Sequence, residues 1–216
     1  RLEYIRMSDV DIDIDLSDNA RLDQLILFEG SGSIDVTGNA RANRLTLEEG
    51  AYEVASGDRF FRELTMWEAS STITIGTGGA GLIKADSDLS NVQSHDITAN
   101  GFVEVIDIRD EQDVDLTLNG GARLVRLTDL KDDVFVNNDY VEFMRLDAGR
   151  DYVEVDNGGE IEMLRAGDDG DLVKVVSGRI NHLDFGGGND RLNARNDSSF
   201  DIIEAGAGSD RLGLRN

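Results

Sequence analysis

The feature that most constrains this chain is that it repeats itself from end to end. Cutting before Ala20, Ala40, Arg59, Ala80, Phe102, Ala122, Tyr140, Glu160, Arg179 and Ser198 leaves eleven pieces of 18 to 22 residues. Each piece carries an apolar-patterned segment, a polar Gly/Asp corner, a second alternating segment and a Gly/Asn corner. Files of apolar residues recur in step: Ile161, Ile180 and Phe200; Leu164, Leu183 and Ile203; Val153, Val173, Leu192 and Leu212. In the second segments apolar residues alternate, as in SIDVT, TITIG and YVEVD, and a period of two means a strand with one face inside. Two short strands per coil cannot bury a face alone. Stacked coils can, so the expected fold is an all-β, right-handed parallel β-helix or β-roll of about eleven coils. At about 4.8 Å per coil it would be roughly 50 Å long. The hand follows the crossover rule for parallel strands.

Composition agrees with this architecture. There is no Pro, which would remove ladder donors. There is no Cys, hence no disulfide framework and no thiolate metal site. The net charge of -23 makes nucleic acid and anionic membrane surfaces poor partners and cations good ones. No apolar run approaches the roughly 20 residues of a membrane-spanning helix, so membrane insertion is not expected. The first residues carry no signal-peptide pattern, and the chain reads as a fragment of a longer or processed protein, fused to further domains.

The two corners differ in chemistry. One carries Asn19, Asn39, Asn100, Asn119, Asn138, Asn157, Asn196 and Asn216, residues that tolerate a left-handed backbone and can hydrogen-bond along a stack. The other carries an aspartate file, Asp113, Asp133, Asp151, Asp171, Asp190 and Asp210, at steps of 18 to 20 residues. Stacked carboxylates repel. A chain that only turned a corner could use Asn or Gly there, so the file implies a cation between coils. Calcium, a hard ion that takes six to eight oxygens including carbonyls, fits best. A phosphate loop does not, because Asp and a strand follow the glycines where Lys and a helix are needed.

FGGGNDRLN, AGAGSDRLG and AGDDGDLVK resemble the RTX (haemolysin-type) calcium-binding nonapeptide G-G-x-G-x-D-x-U-x, with LDAGRDYVE a weaker copy. The resemblance places the motif aspartate on Asp151, Asp171, Asp190 and Asp210, and its glycines on Gly186, Gly187, Gly188, Gly206 and Gly208. Asp168 and Asp169, inside AGDDGD, join the expected ligand set, with Asp169 standing where a glycine would. In that family, turn carbonyls and carboxylates of successive coils share calcium. Coils here run to 19 or 20 residues rather than 18, and the opposite corner lacks Asp. Calcium is therefore expected on one edge, in the C-terminal coils. Residues 1–139 read as generic β-helix coils and residues 140–216 as RTX-like coils of one continuous solenoid.

The resemblance implies a non-enzymatic module of a secreted bacterial protein, extracellular or on the cell surface. Such modules follow type I secretion, exported unfolded with a C-terminal signal and folded by calcium outside. Two other classes stay open: a structural stalk or adhesin segment, and a carbohydrate-active β-helix such as a polysaccharide lyase or epimerase, with a polysaccharide or cell-surface partner. Trp67 is the residue weighed for stacking on sugar. His95 and His182 read as incidental, and Tyr52, Tyr140 and Tyr152 as edges of the core.

Overall fold

A computed structural model describes residues 2–8, 11–17, 20–38, 40–58, 60–86, 94–109 and 112–215, the side chains of Leu2 and Asn196 excepted. Among these residues every named strand pairing is parallel, and each strand pairs with its counterpart one coil away. The result is a β-solenoid of about ten turns. Several strands, such as Arg21–Val36 and Leu172–Gly188, run through a corner without a break, which joins the faces into one 18-stranded sheet.

The expected apolar files stack in register. Val134, Val153, Val173 and Leu192 pair successively, as do Met144, Leu164 and Leu183. All are buried in one continuous core that runs the length of the solenoid. Each such side chain contributes about 1.5–3 kcal/mol on burial. The second-segment strands alternate strictly, as Val114–Leu118 does. First-segment strands do not. In Ala122–Arg126, Arg123 and Leu124 both face outward before Val125 turns in. This irregularity hides the strand period of the first segments in the sequence.

The Asn corner has the expected backbone. Asn138 and Asn157 have φ of 57° and 54°. The side-chain ladder runs from Asn137 to Asn119 to Asn100, with amide-to-oxygen distances of 3.2 and 2.9 Å, so Asn137 rather than Asn138 carries it. Asn19, Asn39, Asn216 and the Asn196 side chain lie outside the described residues.

Candidate metal centre

The RTX-like turns have a common length. The corner aspartate comes five positions after the last inward apolar residue in Leu146–Asp151, Ala166–Asp171, Phe185–Asp190 and Ala205–Asp210. The first and third turn residues have positive φ: Asp147 (72°) and Gly149 (119°), Gly167 (118°) and Asp169 (74°), Gly186 (82°) and Gly188 (145°), Gly206 (77°) and Gly208 (141°). Asp tolerates the left-handed region better than most residues, which is how Asp147 and Asp169 stand in for glycine. Space is a second constraint. A Cβ on Gly188 would lie 1.7 Å from the Asp169 carbonyl oxygen, and one on Gly208 would lie 1.4 Å from that of Gly188. The glycines let each turn settle onto the carbonyls of the turn before it.

The aspartates do not line an outer edge. They face inward at the corner, and Asp151, Asp171 and Asp190 are each only 2% exposed. The file is a chain of hydrogen bonds along the axis. The Asp132 amide donates to Asp151 Oδ1 (2.8 Å), Asp151 to Asp171 (2.9 Å), Asp171 to Asp190 (2.8 Å) and Asp190 to Asp210 (3.0 Å). The file therefore runs through Asp132 rather than Asp133, and Asp113 is not part of it. Asp133 pairs with Tyr152 on the outward side and accepts from Lys131 Nζ at 2.6 Å. Asp113 is exposed one step before Val114, which occupies the file position. Residues 110 and 111 of that turn lie outside the described residues.

The members of the file are not equivalent. Asp132 is satisfied on both oxygens. Its Oδ1 accepts from the Val114 amide (3.0 Å), its Oδ2 from the Thr128 amide (3.1 Å), and the Thr128 hydroxyl lies within reach of both. Asp151, Asp171 and Asp190 each keep a buried Oδ2 with no hydrogen-bond partner. Burial pushes these acids up: Asp151 to about 9, Asp171 to about 7 and Asp132 to about 8, with Asp190 also raised. Neighbouring aspartates add to the rise, while the amide donated to each carboxylate opposes it.

Two grooves flank this corner. One, of about 520 Å³, reaches Asp151 between Lys131, Asp133, Phe135 and Tyr152. The other, of about 550 Å³, holds Asp168 with Asp147, Asp184, Arg145 and Arg165. Asp168 and Asp169 are exposed, so the structure separates them from the buried file of Asp151, Asp171 and Asp190. No group of three or more acidic, His or Cys side chains in metal-holding geometry occurs among the described residues.

The donor chemistry nonetheless fits a hard cation. Buried carboxylate oxygens without donors are costly, and here three recur at one-coil intervals beside turns whose glycines bring carbonyls close. Asp151, Asp171 and Asp190 are the residues that would hold calcium, through these oxygens. Asp210, at the last coil, is partly exposed.

Toward the N-terminus the corner file continues as Val114, His95, Ser71, Tyr52 and Gly32. His95 is fully buried in this file, a placement its isolation in the sequence did not suggest. The signal was its spacing from the inward-facing Ile97. Trp67 lies on the outer face, and Lys84 Nζ sits 5.0 Å from its ring centroid. Comparison with protein-family models, curated proteins and solved structures finds no match to any of them. The fold thus defines a parallel β-solenoid with a buried aspartate file.

Proposed function

We propose that the chain is a calcium-responsive, non-enzymatic β-solenoid module, RTX-like in residues 140–216, that serves folding, secretion and structural stability in a secreted or surface-attached bacterial protein. The observation that carries this reading is the row of buried Oδ2 atoms on Asp151, Asp171 and Asp190 that no donor reaches. Bound calcium would supply positive charge to oxygens that burial leaves uncompensated. The chain's own part is to hold those oxygens dry and aligned. Asp amides fix each carboxylate from one side, and glycine turns admit close backbone oxygens. Because the folded state presents these oxygens and the unfolded chain scatters them, calcium affinity becomes folding free energy. Charge also favours this: 44 acidic against 21 basic residues oppose compaction without cations.

The test is a calcium titration followed by far-UV circular dichroism, with magnesium as control and Asp151→Asn, Asp171→Asn and Asp190→Asn combined. Calcium should raise the melting temperature of the parent chain, magnesium much less, and the triple variant should not respond. An equal melting temperature in calcium and chelator would end this reading. A second reading, a stalk or adhesin segment, draws on the Asp amide–carboxylate chain, which closes through protein atoms alone. It expects full β structure in chelator.

A further inference from the structure

A second pattern lies on the opposite side of the molecule, at the entry to the first-segment strands. Phe60, Gly79, Phe102, Gly121 and Tyr140 occupy one file, each a coil from the next. The three aromatic residues are 56%, 45% and 39% exposed. Single exposed aromatics need no explanation, but a regular row of them does. The sequence reading placed Tyr140 at the edge of the core; its ring is instead on the surface.

The alternation has a backbone cause on its glycine half. Gly79 and Gly121 have φ of 73° and 71°, and a Cβ there would lie 2.1 Å from the Phe102 carbonyl oxygen and 2.5 Å from that of Tyr140. These coils can carry only glycine. Nothing in the fold demands large rings on the intervening coils, where a small polar residue would serve. The rings rise beside low ground on both flanks. Gly101 and Gly120 stack at the adjoining corner, and Phe60 Cζ lies 3.3 Å from where a Cβ on Gly81 would be. Two coils separate successive rings, about 9.6 Å at the usual strand spacing.

An extended β-1,4-linked glycan turns each sugar over relative to the last, so the same pyranose face returns at every second residue, a repeat of similar length. Flat aromatic faces take up such apolar sugar faces, and neighbouring polar groups bind the hydroxyls. Here those groups are the Glu104–Arg123 pair, at 2.9 Å, and the Tyr140 hydroxyl. Charge narrows the ligand. Burial together with Glu162, Glu142 and Glu160 raises the Tyr140 hydroxyl, so carboxylates predominate at that end of the row, where Arg179 lies 3.9 Å from Glu160. Polyanions are repelled by that excess. We propose that Phe60, Phe102 and Tyr140 form a binding strip for an extended, uncharged β-1,4-linked glycan lying along the solenoid axis, one ring to each disaccharide.

This strip is independent of the calcium reading. Its test is native electrophoresis through gels containing hydroxyethyl cellulose, with dextran and polygalacturonate gels as comparisons, and titration with cellohexaose. The parent chain should be retarded by hydroxyethyl cellulose alone. Phe102→Ala, which removes the central ring, should weaken cellohexaose binding about tenfold. Phe102→Tyr should restore it, and the triple Ala variant of Phe60, Phe102 and Tyr140 should not bind, with an unchanged circular dichroism spectrum. The proposal is overturned if hydroxyethyl cellulose does not retard the parent, if the folded triple variant binds as well, or if dextran or polygalacturonate retards the chain equally.

Discussion

The same corner of the solenoid is built in two ways. In the N-terminal coils the turn from Leu27 to Gly32, from Leu47 to Tyr52 and from Met66 to Ser71 spans five residues, the same span as from Ala166 to Asp171. What differs is where the backbone turns left-handed. Glu29, Glu49 and Glu68 do so at the second turn position, with φ of 48°, 48° and 53°, joined in one turn by Gly50 at the third (141°), while the C-terminal turns do so at the first and third. The residue delivered to the buried file differs accordingly, Tyr52, Ser71, His95 or Val114 against Asp132, Asp151, Asp171 and Asp190. Turn length sets the stacking register, and turn conformation and the file residue set what the corner does. One half closes its corner without acids. The other buries acids there and depends on what neutralises them.

The largest effect should come from removing that dependence by force. Replacing Asp151, Asp171 and Asp190 with Ala strips the acceptor from three buried amides, at about 1–3 kcal/mol each. The C-terminal coils should lose amide-exchange protection while coils before Asp132 keep theirs. Uniform loss along the whole chain would show that the two halves fold as one unit.

Protonation should separate the halves next. The raised values, about 7 for Asp171 and about 9 for Asp151, lie above the ordinary carboxylate value near 4. Between these limits the folded state holds protons that the unfolded state has released, so stability falls as pH rises. It is fully present below about pH 4 and lost through pH 7 to 9. In chelator, thermal melts should show declining stability from pH 5 to pH 9, by at most about 1.4 kcal/mol per group per pH unit. The triple Asn variant, in which only Asp132 of the strongly raised acids remains, should show a flatter profile. Calcium competes with protons for the same oxygens and should bind more tightly at pH 8 than at pH 6.

Much of this was legible before any coordinates. The 19- to 20-residue period gave the coils, and the apolar files gave the register. The aspartate file was misplaced at two coils, at Asp133 and at Asp113, because Asp132 and Asp133 are adjacent, as are Asp113 and Val114, and spacing alone does not choose between neighbours. Strand parity does. Val134 and Val136 face inward, so Asp132 faces inward with them and Asp133 faces out; by the same rule Val114 excludes Asp113. Parity with Val153 and Val173 also places Asp151 and Asp171 inside rather than along an outer edge. The aromatic row was harder to see. Coils of unequal length hide the alignment of Phe60, Phe102 and Tyr140, and the outward pair in each first segment breaks the simple alternation that would have revealed it.

A smaller effect tests how tightly the C-terminal turns are stacked. Gly206→Ala places a Cβ against the Gly186 carbonyl at 1.8 Å, on a backbone with φ of 77°. Gly158→Ala has a comparable backbone demand, φ of 83°, but meets nothing within 4 Å. The second should cost about 1–2 kcal/mol from conformation alone. The first should cost more, because the two turns must move apart. Equal losses in denaturant melts would mean that the stacked turns yield freely, and close carbonyl approach would then be no part of the site.

The smallest effect concerns the same chemical group on the other side of the solenoid. Asn119 is exposed, donates to Asn100 and accepts from Asn137. Asn119→Asp removes one donor and adds a carboxylate, as at Asp171, but in contact with water. Hydration satisfies that carboxylate, so its ionisation should leave the pH profile almost unchanged. The lost ladder bond should cost about 0.5–1.5 kcal/mol at any pH, and calcium should add nothing. If Asn119→Asp instead makes stability fall steeply above pH 7, mutual repulsion across an acidic surface, and not burial at the aspartate corner, governs the response of this solenoid to protons and cations.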